Sequence, residues 1–205
     1  MKHFFQEEGR ILKKGFKRIV GLDEVGRGSL MGPVIACAVF AKPGLIITKV
    51  DLAKIQDSKK LTPKIREEFY DILTKHPKIK WGIGRVSEKV IDRINILRAT
   101  KLAMERAIVN MKLKPDFLIL DGNFRIDSSL PQLPIIKADE KVFSCMAAGI
   151  IAKVTRDRMM ERYHKKYPRY CFSKHKGYPT KLHRRLLKRY GRCAIHRYSF
   201  NYRAS

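Results

Sequence analysis

The sequence predicts an α/β fold, a mixed sheet flanked by helices with a basic helical C-terminal part, and three observations carry that expectation. Short β-rich runs, Arg18 to Leu22 and Val34 to Phe40, are bounded by glycines and followed by segments of helical periodicity. Acidic residues close apolar runs: Asp23-Glu24 after the first, Asp121 after Phe117-Leu-Ile-Leu120, and Asp139 after Ile135-Ile-Lys-Ala138. Positive charge gathers toward the C-terminus, where residues 141–205 hold +16 of a formal net charge of +26.

The elements follow in order. Arg18 to Leu22 and Val34 to Phe40 read as neighbouring strands joined by the Gly26-to-Pro33 turn, and Leu45 to Ile47 as a third strand completing an antiparallel meander. Thr62-Pro63 is an N-cap with proline in the first turn, opening a helix whose apolar face holds Ile65, Phe69 and Ile72. A strand is expected from Lys80 to Val86. Ser87 and Glu88 then start a short helix, followed by a longer one from Asn95 to Asn110 with Ile96, Ala99, Leu102 or Ala103, and Ala107 on one stripe. The unbroken apolarity of Phe117 to Leu120 marks a buried strand, and Pro134 to Ile136 a further one. After Asp139 the spacing of Val142, Met146, Ala147, Ile150, Ile151 and Val154 predicts a helix that runs to the Tyr167-Pro168 break. A loop, Cys171 to Thr180, leads to a basic helix ending at Tyr190.

A chain of 205 residues fits one domain with a full core and a small appendage. With 44% hydrophobic and 31% charged residues it is globular rather than disordered. No apolar run approaches the ~20 residues of a membrane span, and Met1-Lys-His-Phe-Phe-Gln-Glu-Glu lacks the apolar centre of a secretory signal. These features place the chain in the cytoplasm. A charge of +26 exceeds what solubility requires and implies a polyanionic partner, nucleic acid above all, rather than a merely solvated basic face. Cys37 and Cys145 stand in apolar stretches and read as reduced core thiols. Cys171-x-x-x-His175 and Cys193-x-x-His196 offer four zinc-type ligands, but the Cys-His-Cys-His order is unusual and zinc is set aside.

Carboxylates gathered in a basic chain suggest a cage for hard divalent cations facing a phosphodiester. Asp23 and Glu24 are adjacent, and neighbouring strand side chains point to opposite faces, so both serve one site only where the strand ends and turns. Asp121 closes a strand and Asp139 precedes a helix, so all four can converge at one sheet edge. Taken singly, an aspartate before glycine is a turn residue and one before a helix is a cap. Asp157 differs, because a continuous helix sets it ~27 Å from Asp139. It reads as structural, paired with Arg156 or another arginine.

Six ordered blocks carry a family resemblance: Gly21-Leu-Asp-Glu-Val-Gly-Arg-Gly28 with Gly32-Pro33-Val34; Asp57-Ser-Lys-Lys-Leu61; Asp121-Gly122 with Lys137-Ala-Asp139; Ala147-Ala-Gly-Ile-Ile-Ala-Lys-Val-Thr-Arg-Asp157; Lys176-Gly-Tyr-Pro-Thr180; and His196-Arg-Tyr-Ser-Phe200. From about Arg18 to Phe200 the chain resembles bacterial ribonuclease HII. Three positions depart from the usual pattern: Ser29 stands where proline is usual, Ala138 where glycine is usual, and Gly149 where serine is common. Ser29 and Gly149 bear on local rigidity and none of the three removes a carboxylate. The first motif lies too near the start for the separate N-terminal domain of ribonuclease HIII, which favours HII.

The resemblance implies an RNase H-like fold with a mixed five-stranded sheet, residues 1–165 as catalytic domain, and residues 166–205 as a basic substrate-binding segment packed on it. It implies cleavage of RNA in RNA·DNA hybrids and at single ribonucleotides in duplex DNA, on the 5′ side, leaving 3′-hydroxyl and 5′-phosphate ends. Asp23, Glu24, Asp121 and Asp139 would hold two Mg²⁺ or Mn²⁺ ions, Glu24 partly through its backbone carbonyl. Gly26, Arg27, Gly28 and Tyr178 would read the 2′-hydroxyl, against the plainer view of Tyr178 as a loop residue packed on Pro179. Ser58, Lys59, Lys60, Lys176, Lys181, Arg184 and Arg185 are candidate phosphate contacts. Lys153 approaches the site or is a solvated helix charge. No obligatory protein partner is implied, and a monomer is the simplest state. A non-catalytic nucleic-acid binder would suit the charge alone, and another nuclease or strand-transferase on the same core would suit the carboxylates but leave the Lys176-to-Thr180 loop unexplained.

Overall fold

The computed structural model describes residues 5–43, 45 and 62–201. Its centre is a five-stranded mixed sheet of order β3-β2-β1-β4-β5. β1 (Ile19–Val25) pairs antiparallel with β2 (Val34–Ala41), and β2 antiparallel with β3 (Ile79–Val86). On the other side β1 runs parallel to β4 (Phe117–Asp121), which pairs in parallel with β5 (Gln132–Ile135). The expected meander exists, but its third strand is β3. The strand expected at Leu45 to Ile47 lies outside the described residues except for Leu45, which is not in a strand.

Helices cover both faces, which is why the central strands are apolar on both sides. In β2, Ile35, Cys37 and Val39 join one core cluster with α4 (Phe143–Lys166), while Val34, Ala36 and Ala38 join another with α3 (Glu88–Asn110). The two-residue period of the strand thus splits one apolar run between two cores. On the α3 side the approach is close: a Cβ at Gly82 or Gly84 of β3 would run into the backbone of Ala103, Ala107 or Met111. Glycine there lets the helix sit directly on the strand.

Two helix starts follow the cap chemistry. Thr62 accepts from the Ile65 N–H (3.4 Å) and Pro63 opens α2 (Pro63–Lys75). On this helix Phe69 and Leu73 are buried, whereas Ile72, expected inward, is exposed; the packed face runs through 69 and 73, an i,i+4 row. α3 is kinked at Asn95 (φ 65), whose side chain accepts from the Arg98 N–H at 3.0 Å, so the expected break before the longer helix is present. Thr180 caps α6 (Lys181–Tyr190) by accepting from His183 N–H at 3.2 Å.

Two features were not expected from the sequence. A short turn, Pro168–Tyr170, follows the expected break, and the single-turn helix α5 (Phe172–His175) occupies part of what reads as loop. An N-terminal helix, α1 (Gln6–Lys13), brings Glu8 to the start of α4, where its carboxylate accepts from the Ser144 N–H (3.0 Å). Val142, the residue before α4, makes no side-chain cap, so an acid 136 positions away does the capping. Burial pushes the Glu8 carboxyl up to about 7. Tyr170, Phe172, Leu187 and Ile195 share a core cluster with Met146, Ile150 and Met160 of α4, so the C-terminal part packs on the central helix. Among the described residues no helix is long and apolar enough to cross a membrane.

Candidate active site

One cleft is lined by Asp23, Glu24, Val25, Arg66, Asp139, Met146, Gly149, Ile150 and Lys153. Asp23 and Glu24 come from β1, which continues in register with β2 through Val25, so the two acids lie inside the strand and not in the turn after it. β1 reaches past β4: their last registered pair is Leu22 with Leu120, and Asp23 and Asp121 are the next residues on each. A carboxylate pair is therefore set side by side where the parallel ladder stops. Asp121 accepts from the Ala138 N–H (2.8 Å), which fastens the turn Ala138–Glu140 and with it Asp139. The usual glycine at position 138 is not required, since Ala138 is simply buried.

Asp23 also packs against α4. A Cβ at Gly149 would collide with its Oδ2, so the absence of a side chain gives the carboxylate room against the helix backbone. Asp23 Oδ1 accepts from the Glu24 N–H at 2.6 Å. Glu24 faces Arg27 Nη1 at 3.2 Å, while its Oε2 is buried without a hydrogen-bond partner. Burial raises the Asp23 carboxyl well above the usual carboxylate range, aided by repulsion from Glu24, Asp121 and Asp139. Glu24 is raised to about 6, chiefly by burial, with Arg27 acting in the opposite direction.

The structure brings Asp23, Glu24 and Asp139 to one cleft with Asp121 beside them. Lys153 is no solvated charge: it is half-buried, lines the cleft and pairs with Asp157 at 2.7 Å. The expected arginine partner of Asp157 is replaced by this lysine one turn away, while the neighbouring Arg156 turns inward to backbone carbonyls. Arg66 had no distinguishing sequence signal among 45 Lys and Arg residues.

Around the cleft, Gly26 is buried while Arg27 and Gly28 are exposed, with the Arg27 guanidinium 5.6 Å from the Phe124 ring centroid. Ser29 is buried and its hydroxyl has no partner. Tyr178 is half-buried between cations, its ring centroid 5.8 Å from Lys153 Nζ and 5.8 Å from the Arg156 guanidinium. Lys176 is paired with Glu161, Arg184 donates to Pro179 O (3.1 Å), and Lys181 and Arg185 are exposed on α6. Ser58, Lys59 and Lys60 lie outside the described residues.

Three of the four residues of the zinc-type pattern, His175, Cys193 and His196, assemble instead with His183. His175, His183 and His196 are buried together, His175 stacked on His183 with centroids 4.1 Å apart, and Cys193 Sγ lies 3.1 Å from His196 Nδ1. Their nitrogens are taken: His175 by Tyr170 O and the Gly177 N–H, His183 by Tyr178 O and His196 Nε2, His196 by the Cys193 N–H. Among the described residues no group of three His, Cys, Asp or Glu side chains is arranged to hold a metal ion as placed. At the cleft, the all-oxygen donor set and the orphaned Glu24 Oε2 nevertheless suit a hard cation that retains several waters.

Buried carboxylates that repel one another have a use for a cation, and a cation in so basic a chain has a use for a phosphodiester. The class defined in this way is a hydrolase of nucleic acids. The chain belongs to the ribonuclease HII family, whose profile, described as Ribonuclease HII, matches residues 20–203. It is 46% identical to Ribonuclease HII of Chlamydia muridarum over 194 residues, covering 95% of this chain and 87% of that protein. It is 48% identical to Ribonuclease HII of Chlamydia caviae over 199 residues, covering 97% and 90%. Among solved structures, that of the PCNA:RNase HII complex from Archaeoglobus fulgidus is similar with a TM-score of 0.73 and 26% identity, covering 92% of this chain and 97% of that one. The RNase H-like fold and the ribonuclease H type 2 class follow, with endoribonuclease action on the RNA of RNA·DNA hybrids.

Proposed function

We propose that this ribonuclease incises on the 5′ side of a ribonucleotide, both within RNA·DNA hybrids and at single ribonucleotides embedded in duplex DNA, leaving 3′-hydroxyl and 5′-phosphate ends. The observation that carries the reading is the bridge from the carboxylate cleft to the Gly177-Tyr178 loop: Lys153 lines the first and its Nζ is 5.8 Å from the Tyr178 ring centroid. A ribose on Tyr178 would direct its phosphate toward the cleft that Lys153 lines.

Asp23, Glu24, Asp121 and Asp139 would hold two Mg²⁺ or Mn²⁺ ions. Such ions, when bound, supply an activated water and charge neutralisation at the leaving 3′-oxygen. Arg66 and Lys153, also lining the cleft, draw the scissile phosphate in and offset charge on its oxygens. Gly26, Arg27, Gly28 and Tyr178 read the 2′-hydroxyl, the one group that separates RNA from DNA at a single position. Residues 166–205 grip the duplex backbone through Lys181 and Arg184, with Lys176 exchanging Glu161 for phosphate, and Ser58 and Lys59 adding further phosphate contacts. The enzyme works as a cytoplasmic monomer without an obligatory protein partner.

Tyr178→Phe tests the ribose reading. Single-turnover incision at an isolated ribonucleotide is expected to slow about tenfold, the loss of roughly one hydrogen bond to a polar group. An unchanged rate would remove the Tyr178 hydroxyl from ribose recognition.

A further inference from the structure

Arg156 on α4 has no exposed surface, and its hydrogen bonds go to main-chain oxygens. Its Nε donates to Pro33 O (3.2 Å), Nη2 to Met31 O (3.2 Å) and Nη1 to Lys176 O (2.8 Å). The first two carbonyls lie on the connection from β1 to β2, which begins with Gly26-Arg27-Gly28. The third immediately precedes Gly177-Tyr178.

The contacts extend beyond hydrogen bonds. A Cβ at Gly26 would collide with Arg156 Nε. One at Gly177 (φ +85) would lie 2.7 Å from Met31 Sδ and 3.4 Å from Arg156 Nη2. The Leu30 N–H donates to Gly177 O at 2.9 Å, closing the two segments on each other, and the guanidinium lies 5.8 Å from the Tyr178 ring centroid. One side chain thus spans both segments assigned to the ribose.

This is an expensive way to fill space. Burying a cation on carbonyl dipoles alone is less favourable than packing an apolar side chain of similar volume. A second buried cation worsens it: Arg197 donates to Gly32 O (2.9 Å) and Arg27 O (2.8 Å), and its Nη2 is buried without a partner. Burial, then repulsion from Arg156, lowers the Arg197 guanidinium to about 9. What a planar five-donor fork achieves and an apolar residue cannot is a fixed separation between three carbonyls on two segments.

We propose that Arg156 is a positioning residue for ribose recognition: it sets the spacing between the Gly26-Arg27-Gly28 turn and Tyr178, so that one 2′-hydroxyl meets both. The proposal rests on the function assigned above to that turn and that tyrosine. Arg156 touches neither substrate nor the carboxylates; it acts through the two segments it joins.

The test is a double-mutant cycle on the full chain, with Arg156→Lys and Tyr178→Ala made singly and together. Single-turnover incision and duplex affinity are measured on a DNA duplex holding one ribonucleotide, below the melting temperature of every variant. Lysine retains the charge but cannot reach three carbonyls. Arg156→Lys is expected to slow incision about 50-fold while affinity changes less than about threefold; in the Tyr178→Ala background the same substitution is expected to slow it less than about fivefold. Losses that multiply, or a loss confined to affinity, would overturn the proposal. Should Arg156→Lys not fold, Arg156→Gln, which drops the buried charge and cannot join three carbonyls, replaces it in the cycle with the same expected outcome. A wild-type chain that cleaves long hybrids but does not incise at one ribonucleotide would overturn the underlying function and the proposal together, a result distinct from a failed cycle.

Discussion

Asp23 concentrates the cost of this site in one residue, a carboxylate between the backbone of α4 and three other acids, raised well above its usual range by burial and repulsion. Replacing it with asparagine removes the charge but keeps the shape. Without divalent ions, Asp23→Asn is expected to unfold at higher urea concentration than the wild type, a gain of ~1–3 kcal/mol at pH 8. A variant less stable than the wild type would show that Asp23 serves the fold. The acidic residues were legible in the sequence because each interrupts an apolar run where apolarity would otherwise continue. Their exact setting was not: the sequence argues that adjacent acids need a turn, whereas β1 carries both while pairing with β2 through Val25. Lys153 and Asp157 show a further limit, since a lysine on a helix reads as solvated until the cleft beneath it is known.

At the scale of elements, α1 and the histidine stack make opposed contributions to stability as pH changes. Glu8, which caps α4, is raised to about 7, so its contribution is complete below its unfolded value near 4.5 and is lost as pH rises through 7. His183 and His196, which brace the segment after Tyr178, are lowered to about 4 by burial; their contribution is complete above about 6.5 and lost as pH falls toward 4. Glu8→Gln keeps a cap but cannot titrate. Urea unfolding of the variant is expected to lose more stability than the wild type between pH 7 and 4.5, by up to ~1.4 kcal/mol per pH unit. Identical pH profiles would remove Glu8 from this account. The long helices and the first two strands were legible from the period of their apolar residues, although neither long helix has a side-chain cap. α1 was not, because its polar residues outnumber the few, Ile11 among them, that pack. In the sequence His175 and His196 stand out only as cysteine neighbours, and His183 enters through a turn of α6 that no spacing rule links to His175.

Over the whole molecule, a net charge of +26 dominates its relation to any partner. If some six phosphates are neutralised, duplex affinity is expected to fall with salt along a log–log slope of about −5; a slope near zero would exclude the basic C-terminal segment from backbone contact. On the proposed reading the duplex is held by the basic C-terminal residues and cut at the cleft that Asp23, Glu24 and Asp139 line. The central claim is that these acids cut where a ribose is read. It is tested most directly by metal-dependent incision of a labelled DNA duplex holding one ribonucleotide, beside an all-DNA duplex and with Asp23→Asn protein. The account predicts a single cut 5′ to the ribonucleotide under Mg²⁺ or Mn²⁺, absent from both controls; binding without incision, or an equal cut by Asp23→Asn, would contradict it.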